Sequence, residues 1–112
     1  MEMTTSDLGG VTRITIHGSL DFKSAPDLES RIASIADNVT SAVIDLTHID
    51  YLSSIGVRAL LATGKAIASR GGKLVLLNPQ DVVRTVLFTT GVNHVMPIVF
   101  DSDEANRLAS AG

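Results

Sequence analysis

Apolar and polar positions alternate with period two near the start of the chain, where Thr12, Ile14 and Ile16 interleave with Arg13, Thr15 and His17. That spacing predicts a half-buried strand. Gly18 follows, and Ser24-Ala25-Pro26-Asp27 then reads as a helix start: a hydroxyl cap, an early proline and a carboxylate three residues after the cap. Leu28, Ile32 and Ile35 recur at i, i+4 and i+7, giving that helix one apolar stripe. Residues 42–46 are almost continuously apolar, as a central strand covered by helices requires. Ser53 or Ser54 opens the next helix, expected to run to about Arg70 and to stop at Gly71 and Gly72. Residues 74–77 repeat the buried-strand pattern. Asn78, Pro79, Gln80 and Asp81 cap a further helix bearing Val82, Val83, Val86 and Leu87, which Gly91 ends. Residues 96–100 read as a last strand, where Pro97 removes a donor and points to a sheet edge or a strand start. The polar stretch from Asp101 reads as a short terminal helix or a frayed end. Strand and helix alternate, so the expectation is an α/β domain with mostly parallel central strands.

Composition narrows the function. The chain has 112 residues, which makes one domain spanning 1–112 the natural count, with its core at about 11–100. A chain of that size buries about two-thirds of its unfolded surface and folds without covalent staples. Absence of cysteine excludes a disulfide framework, cysteine-based zinc sites and a cysteine nucleophile. A net charge of -3, with one tyrosine, three phenylalanines and no tryptophan, argues against a nucleic-acid surface, which needs clustered cations and often stacking rings. The polar start lacks a secretory pattern, and no apolar run approaches the ~20 residues of a membrane span, so no membrane insertion and a cytoplasmic location are expected.

The helix opened by the serine pair holds most of the chemistry. At 100° per residue Val57, Leu60, Leu61, Gly64 and Ala68 share one face, which is expected to pack on the sheet. Ile55, Ala59, Ala62 and Ala66 fall opposite, bordered by Arg58, Lys65 and Ser69. Such a smooth strip fits a binding surface, and alanine's helix propensity accounts for it as readily; Ile55 is the residue that propensity leaves unexplained. A serine at a helix start is an ordinary cap worth about 1 kcal/mol. The same position presents free amides and a positive dipole end, where a serine-bound phosphate is accommodated.

Residues 43–57, VIDLTHIDYLSSIGV, resemble the central motif of STAS domains, the family of bacterial anti-sigma-factor antagonists and of related domains in sulphate transporters. Gly18-Ser19-Leu20-Asp21, Gly71-Gly72-Lys73-Leu74 and the segment from Asn78 to Gly91 extend the resemblance over about 11–100. It implies a small mixed sheet with helices packed mainly on one face. Placing Gly56 on the family's glycine puts Ser54 on the phosphoacceptor serine, with Ser53 as the alternative acceptor. Ser53 then stands where the motif has Asp, and Ile55 where it has a second Ser or Thr. Asp21 matches an acidic residue that the family carries near the phosphorylation site. The resemblance further implies a partner that is both anti-sigma factor and ATP-dependent serine kinase, and a phosphatase that reverses the modification. The partner surface would comprise Asp21, Ser53, Ser54, Ile55, Arg58, Ala59, Ala62, Lys65 and Ala66. The protein itself would be no enzyme, would need no cofactor or metal, and would be a monomer or weak homodimer.

A non-phosphorylated structural STAS subunit of a lipid ABC transporter or a stress-signalling complex is the alternative. A nucleotide-binding enzyme has less behind it, since no P-loop and no G-x-S-x-G elbow occurs. His17, His48 and His94 are scattered in sequence without metal-ligand spacing. Asp45 closes a central strand, where α/β folds place functional groups or residues that position the following loop.

Overall fold

In a computed structural model, which describes residues 2–35 and 40–110 but not the side chains of residues 32, 34 and 35, the organising element is the ten-residue strand β2 (Val11–Leu20). Strand β1 (Glu2–Leu8) pairs antiparallel with it in unbroken register from Glu2↔His17 to Leu8↔Val11. Gly9 and Gly10 make the turn at φ +63° and +86°, left-handed values that a two-residue hairpin needs and glycine adopts without strain. On its other side β2 has two parallel partners in succession. Strand β3 (Ala42–Asp45) pairs with Thr12 to Thr15, and β4 (Ile49–Leu52) with Gly18 to Leu20. Strands β5 (Leu74–Leu77) and β6 (Ile98–Val99) add on in parallel, giving the order β1-β2-β3-β5-β6.

The sheet is thus mixed and mostly parallel, as expected, but β1 and β4 were not foreseen. β1 is polar apart from Met3 and Leu8, and only Met3 is buried, so its sequence carries no alternation to read. β4 is short and bulged. The register steps from Gly18↔Ile49 to Ser19↔Tyr51, leaving Asp50 as an extra residue that Ser19 Oγ holds by donating to its carboxylate at 3.1 Å.

Helices α1 (Ala25–Ile35), α2 (Ser54–Ala68) and α3 (Asp81–Thr89) cover one face, where Leu28, Leu60 and Leu87 pack on Ile14, Ile16, Ile44 and Leu76. Helix α4 (Ser102–Ser110) lies on the other and docks Ala105 and Ala109 against Val11, Val43, Val75, Leu77 and Val99. The tail is therefore a packed helix, of which residues 111 and 112 are outside the described residues. The contribution of Ile32 and Ile35 to the α1 stripe also lies outside them.

Three local expectations change. Ser24 precedes α1, but its hydroxyl turns away from the helix, accepting from the Asp21 amide and donating to the Ser19 carbonyl; its own carbonyl takes the Asp27 and Leu28 amides. Asn78 does not cap α3. It adopts φ +54° and donates its side-chain amide to Thr47 Oγ1, while the cap residue Gln80 has no side-chain cap bond. The buried face of α2 is Gly56, Val57, Ala59, Leu60, Thr63 and Ile67, with Ala68 exposed and Leu61 and Gly64 half-buried. α2 leans on α1 as well as on the sheet, so its buried arc is displaced toward α1. Thr63 enters the core by donating its hydroxyl to the Ala59 carbonyl at 2.9 Å.

Two glycines permit close approach. A Cβ on Gly72 would fall on the Thr40 carbonyl, and one on Gly56 would meet the Leu20 carbonyl oxygen and, at 2.8 Å, Leu52 Cδ1. Gly71 instead needs φ +80° and faces open space. Gly72→Ala is therefore expected to destabilise by about 3 kcal/mol through overpacking, and Gly71→Ala by about 1 kcal/mol through backbone strain alone. Urea midpoints of the two variants measure this order, and equal midpoints would contradict it.

Candidate functional site

The site is assembled where the end of β2 meets the start of α2. The Leu20 carbonyl accepts from the Ser53 amide at 3.0 Å, and Ser53 Oγ approaches the same oxygen at 3.4 Å. Ser53 is the N-cap of α2, with extended backbone (φ -88°, ψ 170°) and a hydroxyl that accepts from the Gly56 amide at 3.2 Å. Its carbonyl accepts the Val57 amide at 2.9 Å. The Ser53 side chain is therefore half-buried and occupied on both its donor and acceptor sides.

Ser54 differs in each respect. It is the first helical residue, exposed, and its hydroxyl forms no hydrogen bond among the described residues. Ile55 beside it is 43% exposed. Arg58 is exposed four residues on, where helical side-chain tilt carries it back toward Ser54. Farther along α2, Ala62 and Lys65 are exposed and Ala66 is half-buried against the α1 groove with Glu29, Ala33 and Arg70. Ala59, expected on the exposed strip, is 1% exposed and belongs to the core, because its small side chain lets α1 and α2 approach closely. The surface row that remains on α2 is Ser54, Ile55, Arg58, Ala62 and Lys65.

Asp21 stands on the loop after β2, one residue beyond the carbonyl that fixes Ser53. Its Oδ1 accepts from the amides of Lys23 at 2.9 Å and Ser24 at 3.2 Å. The Ser24 amide first, then that of Lys23, holds the Asp21 carboxyl below its ordinary value. Together with Ser19, Lys23, Ser24 and Asp27 it lines an open polar hollow of about 400 Å³. Two exposed aromatics accompany these groups: Phe22, 65% exposed with the Lys23 ammonium 5.9 Å from its ring, and Tyr51 on β4, 52% exposed. Sequence reading overlooked both. The available signal was position, since each is an aromatic side chain next to, or two residues from, a residue already singled out.

Asp45 is a positioning residue. Its Oδ1 accepts the Thr47 amide and hydroxyl at 3.0 and 2.6 Å; Asn78 and Gln80 then bond Thr47 at 3.1 and 2.7 Å. The turn leading to β4 is thereby tied to the loop leading to α3. His17 and His48, far apart in sequence, stack with centroids 4.5 Å apart, and His94 stands apart at the 3₁₀ turn Val92–His94.

Residues 2–105 match the STAS domain family model. The anti-sigma-F factor antagonist RsfB of Mycobacterium tuberculosis is 39% identical over 66 residues, 58% of this chain and 54% of that protein. The anti-sigma-B factor antagonist of Bacillus subtilis is 26% identical over 91 residues, 81% of this chain and 84% of that protein. The crystal structure of an anti-sigma factor antagonist from Mycobacterium paratuberculosis superposes with a TM-score of 0.87 at 27% identity, covering 97% of this chain and 93% of that one.

The lowered Asp21 carboxyl has a testable sign. Its interactions stabilise the fold above the ordinary carboxylate value and are lost as pH falls through the lowered folded value. The urea midpoint of Asp21→Asn should therefore lie below that of the wild type near pH ~7, and the gap should narrow as pH falls below the ordinary value of about 3.9. A gap that widens on acidification would reverse the assignment.

Proposed function

The chain belongs to the STAS domain family, and from that premise we propose that it is an anti-sigma-factor antagonist controlled by phosphorylation at Ser54. In its unmodified form it binds an anti-sigma factor that is also a serine kinase, and so frees a sigma factor. The observation that carries this reading is the division of labour between the paired serines. Ser53 uses its hydroxyl to cap α2 and cannot release it without loosening the helix start, whereas Ser54 is exposed and makes no side-chain hydrogen bond among the described residues. The Ser54 hydroxyl can reach a kinase-bound nucleotide with the fold intact.

The chemistry follows from the position. Ser54 Oγ attacks the γ-phosphorus of ATP held by the kinase, its proton passes to a kinase base, and ADP leaves. The phosphate then sits at a helix N-terminus, among amides with no intrahelical partner, so the fold tolerates it. It adds ≈ −1.5 to −2 charges at one end of the surface row, taking the chain from -3 to about -5. Beside exposed Ile55 and Tyr51 that charge must be desolvated for a partner to dock, which favours release. A phosphatase removes it and restores docking. Asp21, ionised at neutral pH, supplies the fixed carboxylate of this surface, while Ser53 brings no charge where the family motif has Asp. Among the described residues no helix is long and apolar enough to cross a membrane. The protein is read as a cytoplasmic binding module without catalysis of its own.

With the cognate kinase and ATP, the wild type should incorporate one phosphate, mapped to Ser54, and Ser54→Ala none. Ser54→Ala should bind the kinase regardless of ATP, and Ser54→Glu at least about tenfold more weakly. Ser53→Ala should still be phosphorylated while losing about 1 kcal/mol of stability. Phosphate on Ser53, or equal kinase binding by all forms, would refute the proposal. Co-purification with a transporter ATPase and no phosphate incorporation would favour the structural subunit instead.

A further inference from the structure

The C-terminal half of α2 borders a feature that shares only Lys65 with the surface proposed for the antagonist. Leu61, Gly64, Lys65 and Ala68 form one wall of a trough of about 440 Å³; Gly72, Lys73 and Leu74 form another, and Val95, Met96 and Pro97 the third. Its surface is aliphatic, and Val95 stands 68% exposed at its margin. The bare Cα of Gly64 keeps the floor open, since a Cβ there would reach 2.9 Å from the Met96 sulfur. A volume of this size is in the range of small-molecule sites, roughly 300–1,000 Å³.

The polar groups around the trough select its occupant. Its only charged lining residues are Lys65, on α2, and Lys73, just before β5, and no carboxylate lines it. Neither lysine has an ion-pair partner among the described residues, although Lys73 is half-buried. The backbone has little to offer. The Gly72 amide bonds the Ile67 carbonyl, the Lys73 amide Ser41 Oγ, and the Val95 and Met96 amides the Val92 carbonyl; Pro97 has no amide and its carbonyl accepts from Leu76. The lining amides of Gly72, Lys73, Val95 and Met96 are already bonded, so an extended peptide gains no run of free donors there, whereas an alkyl chain with an anionic head matches the aliphatic lining and its two cations.

We propose that this trough is a binding site for a small amphipathic anion, an aliphatic chain with a carboxylate or phosphate head, whose tail lies on Leu61, Ala68 and Met96 and whose head is held between Lys65 and Lys73. Ser54 and Lys65 are eleven residues apart on α2, about 16 Å at 1.5 Å per residue, so the site is separate from the phosphoacceptor and stands or falls independently of it.

Dodecanoate below its micelle concentration is the probe, with calorimetry for affinity and methyl NMR for location. One saturable equivalent should bind and shift the methyls of Leu61, Val95 and Met96. Ala68→Phe, a filling substitution at an exposed helical position, should abolish binding, and Lys65→Glu with Lys73→Glu should weaken it at least tenfold. Dodecyl phosphate should bind alongside dodecanoate if the shared anionic head is what counts; dodecyltrimethylammonium and acetate should bind at least tenfold more weakly. Non-saturable binding, equal affinity for the cationic amphiphile, or full affinity in a folded Ala68→Phe variant would overturn the site.

Discussion

One carbonyl fixes the geometry on which the candidate site depends. The Leu20 oxygen receives the Ser53 amide, lies close to Ser53 Oγ and is approached by Gly56, so the end of β2 and the first turn of α2 form one rigid corner. The residues proposed to meet a partner are measured from that corner: Ser54 and Ile55 at the start of the helix, Asp21 one step along the loop, Tyr51 two residues before the cap. The bulge at Gly18 and Ser19 serves the same end, because it lets β4 join β2 only for the last few residues and deliver the chain to Ser53 at the right height. The Asp45–Thr47–Asn78–Gln80 bonds brace the turn from below.

Scaffold and surface are divided residue by residue. Gly56, Val57, Leu60 and Ile67 build the core from the same helix that exposes Ser54, Ile55, Arg58 and Lys65. Under the proposed function, a modification on the outer row would change charge without repacking the core, and a docking partner would meet a preformed face. Such pre-organisation limits the ordering entropy that association must overcome.

The strongly periodic or continuous segments were legible in sequence: β2, β3, β5 and the helices α1, α2 and α3. What was not legible has specific causes. β1 pairs through its backbone and buries one side chain, so hydropathy cannot mark it. The face of α2 was turned because alanine is acceptable both in water and in a close helix contact; Ala59 lies in one environment and Ala62 in the other with no difference in residue type. Thr63 counts as polar until its hydroxyl is seen bonded to its own helix. At the site the motif register singled out Ser53 and Ser54, but only the bonds of Ser53 separate a capping serine from a free one. Phe22 and Tyr51 required knowing which way the bulged corner turns them.

The hairpin formed by β1 and β2 has an implication for how the molecule opens. Its alignment is set by the two glycines of the turn, by ladder bonds, and by Arg31 and Asn106 donating to the Met3 and Leu8 carbonyls, while Met3 alone anchors it by burial. Slippage by one residue would turn out one buried side chain, Met3, and shift the carbonyls that Arg31 and Asn106 bond, a smaller cost than for any central strand, whose buried side chains are several. β1 is thus the strand whose amides should exchange with solvent at the lowest opening free energy, by a local unzipping that leaves the β2–α2 corner closed. A length change of one residue in the Gly9–Gly10 turn would re-register the edge of the sheet while leaving its centre, and the helix it positions, untouched.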